Sequence, residues 1–152
     1  MIRQELIHPM ISHFPIALLM LCPFCYIYHL KAKQHYSLYL YRVFLYTGSI
    51  FFFMALFTGD EALEIIKPNF CHILDVYAHD NSAHDALIVL IMALVGDLLL
   101  YLKALSKYKK FVKGILLITL FVLSGLIVRT SHQGAMLVYE KGAAVTNATC
   151  TP

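Results

Sequence analysis

The sequence predicts an all-α integral membrane protein, a four-helix up-down-up-down bundle with both termini on the exterior side. Three observations carry this reading. The 152-residue chain is 60% hydrophobic and only 14% charged, with a mean hydropathy of +0.71, whereas a soluble domain is nearer half apolar and a quarter charged. Four apolar stretches come close to the roughly 20 helical residues that cross a hydrocarbon layer of about 30 Å. Lysine and arginine are shared unevenly between the connections, which sets orientation. The length suits a single domain over residues 1–152.

The first stretch, Met10 to Tyr28, follows Arg3 and is entered through His8-Pro9. It is read as a retained helix and not a cleaved signal, because no small-x-small cleavage site follows it. The residue before a proline disfavours helix, so His8 is expected outside, Pro9 as the first helical residue and His13 one turn in. The second stretch runs from Leu38 to Thr58 and the third from Ala86 to Leu102. Ser82 and Asp85 have the spacing of a capping box, which starts the third helix at Ser82 and puts His84 in its first turn. The fourth stretch runs from Phe111 to Val128, with Gly134 suited to a helix stop. No repeat of about 20–50 residues and no low-complexity segment interrupts this order.

Basic residues orient the bundle. Lys31, Lys33, Arg42, Lys103, Lys107, Lys109, Lys110 and Lys113 fall around the first and third connections, while only Arg3, Lys67, Arg129 and Lys141 fall on the opposite side. The two basic connections are therefore cytoplasmic and the termini exterior. On that scheme His8, His13, His79, His84 and His132 come to the exterior side with Asp60, Glu61, Glu64, Asp80, Asp85 and Glu140. His72 joins them in a connection; His29 and His35 lie on the cytoplasmic side.

Polar side chains at membrane depth are costly and tend to face the bundle interior. His13, His84 and His132, from three helices at similar depth, are accordingly read as a site. Two chemistries compete for it. Haem b needs two axial imidazoles, an apolar slot and a cation for its propionates, for which Arg129 is the candidate. A bare Cu, Zn or Fe ion would take the three imidazoles with a carboxylate such as Asp60. Spacing alone does not separate them, and neither HExxH nor paired CxxC is present.

Cys22 and Cys25 lie within the first apolar helix and are read as buried apolar thiols. Cys71 and Cys150 both fall on the exterior side, where a disulfide between them would tie the tail to the second connection; the sequence leaves them bonded or free. Asp97 and Arg42 are read as a structural ion pair. The sequon Asn147-Ala148-Thr149 is exterior.

The opening His8-Pro9-x3-His13-Phe14-Pro15 and the closing Gly134-x2-Leu137-Val138-Tyr139-x2-Gly142-x2-Val145 resemble a bacterial four-helix membrane family. That family is known as domain of unknown function 2231. Thr58-Gly59 and a histidine opening the third helix fit the same pattern. Ser131-His132-Gln133-Gly134 also resembles a Gly-His-x-Gly-Gly element of membrane domains joined to c-type cytochromes, with Ser131 and Ala135 departing from it. The resemblance implies the bacterial inner membrane and periplasmic redox work. No Cys-x-x-Cys-His is present for a covalent haem.

The expected function is a small redox or electron-transfer subunit holding haem b near the periplasmic face. Its partners would be the lipid bilayer and a c-type cytochrome or respiratory complex. Handling of a transition metal, or a purely structural role in a larger complex, are the alternatives. No basic stripe suggests nucleic acid, and no nucleophile-base-acid set suggests an independent enzyme.

Overall fold

The computed structural model describes residues 3–32 and 34–143, apart from the side chains of Gln4 and Asn69. Four helices dominate: α1 (Ile7–Ala32), α2 (His35–Ile66), α3 (Ile73–Leu99) and α4 (Lys109–Tyr139). Short 3₁₀ turns cover Gln4–Leu6, Lys67–Asn69 and Lys103–Tyr108. All four helices are long and apolar enough to span a membrane. Val145, the sequon at Asn147 and Cys150 lie outside the described residues. Cys71 is disulfide-bonded, while Cys22 and Cys25 are free.

Helices α1, α2 and α4 outrun their apolar stretches at both ends, whereas α3 starts earlier and stops at Leu99, short of Leu102. Three further expectations about helix ends are corrected. His8 belongs to α1, because Pro9 sits in the first turn, where no N–H is needed. Helix α3 begins at Ile73, not at Ser82. Ser82 is buried mid-helix, and its hydroxyl donates to Ala78 O at 3.0 Å instead of capping. Helix α4 runs through Gly134 to Tyr139. Its stop is Gly142 at φ 69°, beside the bond from Ala143 N–H to Leu137 O.

The helices pack as two hairpins, α1 on α2 and α3 on α4, joined mainly along α1 and α4. Along the first hairpin, Tyr26 meets Tyr41 and His8 meets Ala55, so contacts move backward along α2 as they advance along α1. Leu19, Tyr26, Tyr41, Leu45, Leu90, Leu116, Leu120 and Leu123 form the core and are fully or almost fully buried. Gly48 lets α2 close on α1: a methyl group there would stand 2.8 Å from Leu19 Cδ2. Outward faces carry Phe24, Ile50, Phe57, Ile88 and Ile118, all exposed. Such apolar cover is foreign to a soluble monomer and suits lipid.

Between α2 and α3 contact is slight, and a polar knot holds it. Arg42 Nε donates to Asp97 Oδ2 at 3.1 Å and Tyr46 Oη donates to the same oxygen at 2.8 Å. The Arg42 guanidinium also lies over the Tyr101 ring, 4.3 Å from its centroid. Asp97 is fully buried, so its charge depends on these partners. The expected ion pair is thus present.

Removing one side of a buried pair strands the other charge, at a cost of about 3–5 kcal/mol. Asp97→Ala should therefore lower stability by that order in detergent, measured by chemical unfolding. Asp97→Asn, which still accepts a hydrogen bond, should cost less.

Candidate functional site

At the opposite end of the bundle from the Arg42–Asp97 pair, the hairpins enclose a mostly apolar cavity of about 320 Å³. Residues of all four helices line it, among them Ile16, Phe52, Val76 and Ile127. Its volume lies in the range of small-ligand sites, roughly 300–1,000 Å³. His8, His13, Glu5, Asp60, His79 and Asp80 supply its titratable lining.

Two of these histidines are held by the same device. His8 of α1 donates from Nδ1 to Ala55 O on α2 at 2.8 Å, and His79 of α3 donates from Nδ1 to Thr130 O on α4 at 3.0 Å. A helical side chain covers the turn N-terminal to its own Cα, so the residue four places on from a carbonyl normally hides it. Here those residues are Gly59 and Gly134. A methyl group at Gly59 would stand 3.2 Å from the His8 ring, and one at Gly134 3.1 Å from the His79 ring. Glycine leaves the carbonyl open, and an imidazole from the partner helix takes it.

The two imidazoles meet across the junction of the hairpins, with ring centroids 6.2 Å apart and planes at 76°. A carbonyl only accepts, so each Nδ1 carries the proton and the neutral ring keeps its lone pair on Nε2. Neither Nε2 has a hydrogen-bond partner among the described residues. A hydrogen bond from Nδ1 to a backbone carbonyl is the support that orients metal-binding histidines.

The histidines expected from the sequence are placed differently. His13 is exposed and bonds Pro9 O on its own helix at 2.6 Å, though it also lines the cavity. His84 is exposed and bonds Asp80 O on its own helix at 3.0 Å. His132 and Arg129 are exposed on α4, and neither lines the cavity. Asp60 is exposed at the cavity lining. Among the described residues, no three His, Cys, Asp or Glu side chains are gathered to hold a metal ion.

The sequence reading places His8 and His79 on the exterior side and gives neither a part in the site. A signal for both was present: His-x4-His occurs at His8 and His13 and again at His79 and His84. In each pair the first imidazole crosses to the partner helix and the second bonds its own helix one turn back. The two hairpins therefore repeat one arrangement, over an interval longer than the repeats sought in the sequence.

The charged lining is acidic. Glu5 is paired with Arg3 at 2.6 Å, and its carboxyl is held below the usual range by a backbone hydrogen bond first and by Arg3 second. Asp60 and Asp80 add two further carboxylates. Thr130 also lines the cavity, and its buried hydroxyl has no hydrogen-bond partner. Comparison with protein-family models, curated proteins and solved structures finds no match to this chain.

Alanine normally stabilises a helix over glycine by about 0.5–1 kcal/mol. Gly125 has nothing within 4 Å of a Cβ position, so Gly125→Ala should show that gain in chemical unfolding. Gly59→Ala and Gly134→Ala should lose it. In those two variants the ¹⁵N signal of the hydrogen-bonded Nδ1–H should also shift, with helical content unchanged.

Proposed function

We propose that the chain is a small multi-pass membrane redox subunit that holds haem b in the cavity between its two hairpins. The observation that carries this reading is the imidazole-walled apolar cavity at one end of a bundle whose outer faces suit lipid. Histidines inside membrane helices are costly and mark function. An apolar slot between helices is where helical bundles hold cofactors.

The fuller topology belongs to the same proposal. The order is up-down-up-down, and the lysines of the Lys103–Tyr108 turn and the start of α4 face the cytoplasm. The termini and the cavity then face the periplasm of a bacterial inner membrane. From there an electron would pass to or from a c-type cytochrome or a respiratory complex. The resemblance of His8-Pro9-x3-His13-Phe14-Pro15 to domain of unknown function 2231 supports the setting, not the chemistry.

One observation favours a second reading, the handling of a Cu, Zn or Fe ion. Every charged residue that lines the cavity is acidic: Glu5, Asp60 and Asp80. Arg129, the residue expected to meet a haem propionate, does not line it. Carboxylates beside imidazoles attract a cation.

The absorption spectrum of the detergent-solubilised protein, oxidised and then reduced with dithionite, tests the reading. A Soret band with visible bands that sharpen on reduction is expected. A colourless sample with stoichiometric metal by elemental analysis would replace haem with the ion. A blank in both, after haem and metals are supplied during expression, would overturn both. Reporter fusions at either terminus should be active only in the periplasm.

A further inference from the structure

We propose that His8 and His79 clasp one metal centre in trans through their Nε2 atoms, so that each hairpin contributes one ligand. This assignment rests on the reading of the cavity as a haem or metal site and names the ligands within it.

Four features of the pair support it. First, the spacing fits. With metal–imidazole nitrogen distances of about 2.0–2.1 Å, two rings in trans on one metal hold their centroids about 6 Å apart. The observed separation is 6.2 Å. Second, the tautomer fits: both Nδ1 atoms are tied to backbone carbonyls, at 2.8 and 3.0 Å, which leaves Nε2 as the donor atom of a neutral ring. Third, Gly59 and Gly134 admit the rings closely enough to fix them, so little reorganisation is needed when a metal arrives. Fourth, the histidines expected from the sequence are engaged otherwise: His13, although it lines the cavity, and His84 bond their own helices in exposed positions, and His132 is exposed away from the cavity.

The shared chemistry is trans bis-imidazole coordination. It can come from the iron of a haem or from a bare, two-coordinate transition-metal ion. Two axial nitrogens with no further protein ligand is what a six-coordinate haem iron requires. The nearly perpendicular ring planes, at 76°, add a signature. Perpendicular axial imidazoles on ferric haem give a strongly anisotropic low-spin electron paramagnetic resonance signal with a single large g value, whereas parallel ones give a rhombic signal.

The test compares the 152-residue chain with His8→Asn and His79→Asn, whose amide N–H lies where Nδ1–H lies and can still donate to Ala55 O or Thr130 O. His8→Ala and His79→Ala follow, with His84→Ala and His132→Ala as controls and circular dichroism monitoring the helices. The probes are haemin, cuprous ion and Zn²⁺, each added separately. If haem is the source, the parent protein shows the low-spin, strongly anisotropic signal. Each His8 or His79 variant then turns high-spin or loses haem, with affinity at least about tenfold weaker. If a bare ion is the source, the parent takes up one ion per chain without a Soret band, and the same variants lose it. In both arms the two controls keep their ligand.

The assignment fails if His8→Asn and His79→Asn keep the parent spectrum or metal content, or if a control loses it instead. In that event the haem or metal reading still stands with other ligands. A parent protein that binds none of the three probes overturns the reading itself, and the assignment with it.

Discussion

In hydrocarbon a polar side chain is costly unless the protein supplies its hydrogen bond. That constraint decides where the histidines and charges of this bundle lie. His8 and His79 reach into the bundle because Ala55 and Thr130 offer carbonyls that Gly59 and Gly134 leave uncovered. Asp97 stays buried because Arg42 and Tyr46 bond it. Hydroxyls without an interhelical partner, such as those of Ser49, Thr119 and Ser124, turn back onto their own helices one turn earlier.

The two ends of the bundle follow from that rule. At one end a carboxylate, a guanidinium and a phenol satisfy one another and draw α2 to α3. At the other, His8 and His79 are each satisfied within their own hairpin, and a cavity stays between the hairpins. Buried ion pairs are weak sources of net stability. Arg42 and Asp97 join α2 to α3 at one end, and His8 and His79 face each other at the other.

Composition and the four apolar stretches made the helical membrane architecture legible, since burial in lipid leaves a coarse signature that survives in one sequence. The Arg42–Asp97 pair was legible too, because two opposite charges at one depth have few other options. Helix ends were not. Ser82 and Asp85 have the spacing of a cap, yet a helix that continues past the lipid can hide a serine hydroxyl on its own carbonyl. The end of the bundle where the cavity lies was legible, but not membership of the imidazole pair that walls it. Depth put His13, His84 and His132 together, whereas membership depends on which helical face each residue occupies and on a glycine in the neighbouring helix. His13 lies five residues beyond His8, enough to turn it away from the carbonyl that His8 takes. The cue that does carry this information is relational: a histidine in one helix matched to a glycine in the next, occurring twice.

The slight contact between α2 and α3 leaves these two helices held at their ends and not along their length. At one end Arg42 and Asp97 latch them. At the other, the short connection between Ile66 and Ile73 joins them covalently, and Leu63, Ile66 and Ile73 pack about Val76 and Leu137. The ion pair thus does at one end of the α2–α3 seam what a short loop and an apolar patch do at the other.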